Sequence, residues 1–426
     1  MLTFLFAAFL LLLLVGFDVG FSMILSSWLG ILGKTERAVD ATIIPLTMIS
    51  YVDSYALVQI PLFILAGELM NRGGLTQRLI EWASALVGRL RGSLGHVSIL
   101  TNFVMAGVSG SAVADAVATG KPLIPAMKKA GYDHGYAGAV IAAGALLGPI
   151  IPPSIPMVVY AQIASQSVVK MFMGGIVPGL MLVAGYMVIC TLVARRRNYP
   201  RAEAATWRQQ VRATGRAGWA LMMPVIIIGG IRFGYMTDTE AAAVAALYAL
   251  AVSLLVYRDF KPGALPQVLA ATGRSSALIL FLLAAAGPFS WLVAESQINH
   301  AITGLISSLS TNPVVVLLII NVFLLIVGCV IEPLPAMVIF VPTLLPLGAQ
   351  LGIDPIHFGV VIVLNLMIGL LHPPIGLLLF IVSSVGRVPI GPVMREALPF
   401  LLWSIIVLGL AIVFPPIVTW LPSQVR

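Results

Sequence analysis

Apolar runs follow one another from end to end of this chain, and they leave it few ways to fold. Many approach the roughly 20 residues that carry a helix across a hydrocarbon core. A backbone placed there must satisfy its own N–H and C=O groups, because no water is at hand to do so. Helices are therefore expected, with about ten to twelve membrane-entering segments in all. Since 60% of the 426 residues are hydrophobic and only 9% are charged, the chain cannot cover a water-soluble globule. The expected fold class is an all-α polytopic membrane protein.

The opening run MLTFLFAAFLLLLLVGF has neither a basic start nor a small-residue cleavage site, so a retained first helix is expected. Cys190 and Cys329 stand in apolar runs without metal-ligand spacing, which argues for packing roles and against a disulfide framework or a zinc site. The net charge of +8 does not call for nucleic acid. Seven arginines, Arg195, Arg196, Arg197, Arg201, Arg208, Arg212 and Arg216, crowd one segment with a single acid, Glu203. That density marks a cytoplasmic loop.

Shifting the chain along itself by 221 positions pairs Gly107 with Gly328, Pro125 with Pro346, Gly131 with Gly352, Asp133 with Asp354 and Gly138 with Gly359. The same shift pairs Gly148 with Gly369, Pro152 with Pro373, Pro153 with Pro374 and Pro178 with Pro399. Apolar composition alone would match Leu, Val and Ala, so the halves read as copies of one unit. The loop AMKKAGYDH carries Lys128 and Lys129, whereas its counterpart LGAQLGIDPIH has no Lys or Arg. Loop charge thus places the two on opposite sides of the membrane, and the repeat is inverted.

From a cytoplasmic Arg-rich loop, residues 218–232 run outward, 239–257 return, and 257–274 form a surface-lying arm. Residues 276–294 then run outward, 313–348 enter and return on one side, 358–383 run inward and 397–419 end outside. Symmetry puts the N-terminus inside and a second arm near 37–54 outside, although that leaves Lys34 and Arg37 outside, softened by Glu36, Asp40 and Asp53. The amphipathic stretch LTQRLIEWASALVGRLRG is expected on the membrane surface, with Trp82 at the interface and Arg78, Arg89 and Arg91 toward headgroups.

Two kinds of interruption recur in both copies. GVSGS at 107–111 breaks a helix in mid-membrane and makes a re-entrant hairpin, mirrored where Pro333 and Pro335 follow Glu332 at a second tip. Each hairpin is followed by a spanning helix broken at GPIIPP (148–153) or GLLHPP (369–374). Proline frees the carbonyl a turn before it, and such oxygens suit a hard cation of the sodium type. Half-helix N-termini favour an anionic group. Together these point to an ion-coupled anion site at the bilayer midplane. Ser109 and Ser111 read either as half-helix caps or as ion ligands. Asp115, costly inside a membrane, needs a partner or water, and both a structural pairing with Lys121 and substrate contact stay open. Glu332 reads as a gate, an ion attractor or a cap, and His372 as a core histidine or a proton relay.

These motifs, GVSGSAVADAVATGKPLIPAMKKAGYDHGYAGAVIAAGALLGPIIPPSIPMVVY and IEPLPAMVIFVPTLLPLGAQLGIDPIHFGVVIVLNLMIGLLHPPIG, resemble the large membrane subunit of tripartite ATP-independent periplasmic (TRAP) transporters, the DctM family. The resemblance covers essentially the whole chain. It implies an elevator-type sodium symporter of the bacterial inner membrane that takes carboxylate substrates from a periplasmic binding protein and works with a small four-helix membrane subunit, here in the unfused form. By motif it implies one sodium site from Gly107, Ser109, Gly110 and Ser111 with Gly148, Pro152 and Pro153. A second would combine Gly328 and Glu332 with Gly369, His372 and Pro373. Substrate contacts are expected from Ser109, Ser111, Asp115, Glu332 and Pro333. The chain departs from the family pattern at His372, where threonine is common, at Glu332, and at Asp115, where a small residue is frequent. The implied organisation is a scaffold and arm over 1–91, a first transport repeat over 92–194, the Arg-rich loop over 195–217, a second scaffold part and arm over 218–311, and a second transport repeat over 312–426.

The G-x-S-G form of 107–110 also fits an intramembrane serine protease, which would need His96, His134, His300, His357 or His372 beside Ser109 and leaves the serine-free second copy unexplained. A sodium/dicarboxylate carrier working without a binding protein shares most of the physics. Inversion makes a direct prediction: single cysteines at Lys129 and Gln350 react with an impermeant maleimide from opposite sides of the membrane, and labelling from one side only would refute it.

Overall fold

The structure, a computed structural model, describes residues 2–32, 42–202, 205–295, 312–329 and 331–424. The expectations for Lys34, Glu36, Arg37, Asp40, Glu203 and His300 lie outside these residues. Every regular element among those described is helical. The N-terminal part contains α1 (Leu2–Val15), α2 (Val19–Leu32), α3 (Ile43–Val52), α4 (Gln59–Arg72) and the amphipathic α5 (Leu75–Val87). The first repeat follows as α6 (Ser93–Ser109), α7 (Ala112–Lys129), α8 (His134–Ala145), α9 (Ile155–Ile163) and α10 (Val168–Arg196). Then come α11 (Trp207–Arg232), α12 (Asp238–Ala251) with a π-helical turn at Val252–Tyr257, and α13 (Leu265–Glu295). The second repeat comprises α14 (Pro313–Gly328), α15 (Pro333–Gln350), α16 (Pro355–Gly369), α17 (Leu377–Gly386) and α18 (Ile390–Val413), before a short α19 (Pro416–Thr419).

Among the described residues six helices are long and apolar enough to cross a membrane, or seven if the pair bent by 62° between Val52 and Tyr55 counts as one span. The remaining apolar helices, such as α6, α14, α16 and α17, are shorter than a span. Interruption produces this shortfall against a count of membrane-entering segments: at 1.5 Å per residue each half-helix covers only part of the hydrocarbon. The chain is a multi-pass helical membrane protein.

The 221-residue repeat is visible element by element, since α7 and α15 differ in start and end by that interval. Several matched residues now have physical reasons. Gly131 and Gly352 take left-handed φ values of 81° and 66° just past α7 and α15, a conformation costly for a side chain. Asp133 and Asp354 cap the next helices: Asp133 Oδ1 accepts from Tyr136 N at 3.1 Å, and Asp354 Oδ1 accepts from Ile356 N and His357 N at 2.9 Å. Packing follows the same exchange. Helix α7 lies on α17 and α15 on α9, so the second arm of each hairpin rests on the half-helix beyond the other copy's break, while α10 and α18 pack together. Beside this body stands a second group, in which α4 packs on α12, α13 on α2 and α3, and α11 on α5.

Three expectations change. The arm at 257–274 is not separate, because α13 runs unbroken from Leu265 to Glu295. Its counterpart in the first half does break, where Ser54 is extended between α3 and the following turn. The Arg-rich segment is only partly loop: Arg195 and Arg196 end α10, and Arg208, Arg212 and Arg216 ride on α11, which a Thr206–Gln209 capping box starts. Arg78 on α5, expected free toward headgroups, is already paired with the exposed Asp259 at 2.6 Å and lies 4.0 Å over the Tyr257 ring.

The caps predict matched losses. Asp133→Ala and Asp354→Ala should each cost about 1 kcal/mol, seen as a lower thermal midpoint in detergent, with Asn at either position close to wild type.

Candidate functional site

Helix α6 is buried through its last turns and stops at Gly110, whose φ of 60° turns the chain, while Ser111 is extended and accepts from Ala114 N to cap α7. The resulting tip is a polar junction. Ser109 Oγ donates to Asp115 Oδ1 at 2.5 Å and accepts from Ser111 N at 3.3 Å. One turn further, Thr119 Oγ1 donates to Asp115 O at 2.7 Å, and Asn102 Nδ2 on α6 reaches Thr119 Oγ1 at 3.2 Å. These bonds tie the two arms together inside the protein, where an unmade hydrogen bond is expensive.

The first break presses against this tip. A Cβ on Gly148 would stand 2.6 Å from Asp115 Oδ2 and 3.2 Å from the Ser111 carbonyl carbon, and one on Gly110 would stand 2.7 Å from Pro153 O. Gly107 is constrained from another side, since a Cβ there would collide with the Pro224 side chain of α11 and stand an ordinary 3.8 Å from Pro152 O. Only glycine permits such approach. Within the break Ile151 N bonds Leu147 O at 2.9 Å, Ser154 Oγ bonds Pro149 O, and the Pro152–Pro153 bond is cis. No donor among the described residues reaches the carbonyl oxygens of Gly148, Ile150, Ile151, Pro152 or Pro153.

Asp115 faces this break. It is fully buried, and its Oδ2 has no hydrogen-bond partner among the described residues. Of the partners left open, Ser109 is the one bonded to it, and Lys121 makes no ion pair with it among the described residues. A buried carboxylate costs several kcal/mol unless charge and hydrogen bonds compensate it. Free carbonyls, two serines and this carboxylate oxygen converge on one junction, a donor set suited to a hard cation.

The second tip is built differently. A Cβ on Gly369 would meet Gly328 O at 2.7 Å, so this break also abuts its hairpin. Glu332 is exposed, precedes Pro333 at the start of α15 and makes no capping bond, and Val330 lies outside the described residues. His372 is half-buried and its ring has polar partners, as a satisfied histidine does: Nδ1 sits 2.6 Å from Pro373 O and 3.0 Å from Cys329 Sγ. The Pro373 carbonyl already has a polar neighbour, whereas Pro152 and Pro153 have none. Close by, Asn365 Nδ2 donates to Asn321 Oδ1 at 2.7 Å, joining α16 to α14.

A cavity of about 740 Å³ adjoins both tips. Ser109, Gly110, Ser111, Glu332 and Pro333 line it, and so do Lys121, Glu68, Asn71, Arg72 and Ser275. The last four come from α4 and α13, which sequence reasoning left as scaffold. Their signal was present in GELMNR, where Glu68 and Arg72 are charges inside an apolar run, and such charges are retained there only for a use. No histidine among the described residues bonds Ser109, as a protease would need: Ser109 is bonded to Asp115, His96 to Gly92 O and Thr191, His357 to Ala411 O, and His372 lies at Pro373 O and Cys329.

Fold and site together define a polytopic membrane permease with two broken, tip-to-break junctions beside one shared cavity. The chain belongs to the family described as the tripartite ATP-independent periplasmic transporter, DctM component, which it matches over residues 6–417. It is 38% identical over 412 residues to the sialic acid TRAP transporter large permease protein of Vibrio cholerae, covering 97% of this chain and 96% of that one. It is 40% identical over 363 residues to the 2,3-diketo-L-gulonate TRAP transporter large permease protein of Escherichia coli, covering 85% of each. The C4-dicarboxylate TRAP transporter large permease protein of Pseudomonas aeruginosa is 39% identical over 371 residues, 87% of this chain and 85% of that one. These relatives are transporter subunits, and the chain is not an enzyme.

The close approach at Gly148 predicts that Gly148→Ala forces tip and break apart and costs about 1–3 kcal/mol. Gly409→Ala in α18, where a Cβ meets nothing within 4 Å, should be neutral or slightly stabilising in the same thermal unfolding measurement.

Proposed function

We propose that this chain is the large permease of a sodium-coupled symporter in the bacterial inner membrane. It carries a small carboxylate handed over by a periplasmic binding protein and works beside a small four-helix membrane subunit. The observation that carries this reading is the junction of 107–111 with 148–153: a buried carboxylate and unengaged carbonyls form a cation-type donor set next to a cavity lined by both tips. The relatives named for sialic acid, 2,3-diketo-L-gulonate and C4-dicarboxylates support a carboxylate cargo, since all three ligands carry that group.

Sodium at the first junction draws on Ser109, Ser111, the carbonyls of 148–153 and Asp115 Oδ2. Its charge offsets the buried carboxylate and holds tip against break, which shapes the cavity wall for cargo. The second cation, between 328–332 and 369–374, has fewer bare oxygens because the His372 ring stands at Pro373 O. Cargo binds where Ser109, Ser111, Glu332 and Pro333 face the cavity. The hairpins are re-entrant and belong to the moving body. That body carries the cavity past the wall made by α4 and α13, an elevator motion that needs no change inside either repeat.

In proteoliposomes holding this chain and its small subunit, uptake should require a sodium gradient and a cargo-loaded binding protein. Uptake without the binding protein would favour a self-sufficient dicarboxylate carrier, and uptake indifferent to sodium would end the symport reading. Asp115→Asn should raise the sodium concentration for half-maximal uptake at least tenfold, about 1.4 kcal/mol. It should also remove most of the thermal stabilisation that sodium gives the detergent-solubilised wild type. Ser109→Ala should act in the same direction.

A further inference from the structure

A second polar cleft, of about 670 Å³, opens far from the tips in the sequence, between α5, the first turns of α11 and the chain after the π-helical turn. Its ionic side chains are Arg78, Arg212 and Arg216 against Glu81 and Asp259. Arg78 is consumed internally, since it pairs with Asp259 at 2.6 Å and also reaches Gly74 O at 3.0 Å. Glu81 accepts only a 3.4 Å bond from Gln77 Nε2. Arg212 and Arg216, one turn apart and exposed, have no ion pair or hydrogen bond among the described residues. Gly215 lies between them with open space where a Cβ would stand, so an anion can approach both guanidinium groups at the helix backbone. Three cations against two carboxylates leave one positive charge.

The surroundings decide what kind of anion fits. After Arg216 no charged residue occurs on α11 until Arg232, a stretch of about 22 Å at 1.5 Å per residue that traverses most of a hydrocarbon core. Trp219, the next aromatic along the helix, is 49% exposed, as interfacial tryptophans are, and Met222 beyond it is also exposed. The cleft therefore stands where α11 enters lipid, with an apolar lane leading away from it. Arginine forks favour a phosphodiester, and a monoanionic one balances the residual charge.

We infer that the cleft between α5 and α11 is a binding site for the headgroup of an anionic phospholipid, held by Arg212 and Arg216 with its acyl chains along Trp219 and Met222. The lipid bridges the amphipathic α5 to α11 and braces the group of helices that stays still in the proposed transport cycle. The site does not depend on the identity of the cargo or on sodium.

The test uses the full chain purified in detergent, with phosphatidylglycerol or phosphatidylcholine added at matched ratios. Thermal unfolding should show a rise of several degrees with phosphatidylglycerol alone. The double variant Arg212→Gln/Arg216→Gln should lose at least half of that rise, whereas Arg195→Gln/Arg196→Gln, at the end of α10, should keep it. Native mass spectrometry should find phosphatidylglycerol retained at least fivefold less by the first variant, and Arg212→Lys/Arg216→Lys should recover part of it. Equal losses in the two Gln variants, or no lipid-specific rise in the wild type, would overturn the proposal. So would the same rise from inorganic phosphate, which would make the cleft a soluble-anion site.

Discussion

A peptide group without a partner is intolerable in hydrocarbon, and the architecture of this protein follows from where its helices nonetheless stop. At 107–111 and at 148–153 the chain leaves helical geometry deep in an apolar body, and it does so twice more in the second repeat. Each stop survives because another stop is packed against it: glycine at 148 lets the break meet Asp115 and Ser111, and glycine at 369 lets the other meet Gly328. The exposed backbone oxygens thereby become neighbours of a hairpin tip instead of lipid. A structural necessity and a candidate binding site are the same contact.

The two junctions have drifted apart chemically while keeping this backbone arrangement. The first gathers a buried carboxylate, two serines and carbonyls without donors. The second places an imidazole and a thiol beside the proline carbonyl and leaves its acid, Glu332, exposed at the tip. Backbone symmetry thus coexists with side-chain asymmetry, as expected when helix stops serve folding and side chains serve a ligand. On the side of the Arg-rich segment, the Arg197–Glu396 pair at 2.7 Å ties α10 to α18, and the Glu396 hydrogen bond lifts the Arg197 guanidinium above its ordinary pKa. The Tyr136 ring, clustered with Tyr132 and Tyr199, also meets Phe400 of α18 at 6.5 Å between centroids, so ring contact and ion pair together join the repeats.

Much of this was legible in the sequence, and the legible parts share a cause. Matched glycines, prolines and aspartates marked helix ends, and helix ends are local: Gly131 and Gly352 stop helices, Asp133 and Asp354 start them, wherever the helices go. What was not legible shares a cause too. The arm at 257–274 was read from polarity, but nothing in GRSSALIL breaks a helix, so α13 continues. The helix face of Arg78 points it to a membrane surface, but its pairing with Asp259, 181 positions away, has no local signal. The Ser109–Asp115 bond has no local signal either, because the spacing does not reveal that the turn at Gly110 folds the serine back onto the acid.

What the sequence determined unaided was a membrane-embedded, all-helical chain with an internal repeat, and the four places where helices are interrupted. Composition, breakers and caps act over a few residues and need no partner to be read. Only the tertiary structure decided that Asp115 faces a break, that Glu68 and Arg72 furnish part of the cavity wall, and that His372 meets Cys329. Each of those depends on which helix faces lie against each other across tens to hundreds of residues, and in an almost uniformly apolar chain the facing is set by close packing of glycines and side chains, for which periodicity carries almost no signal.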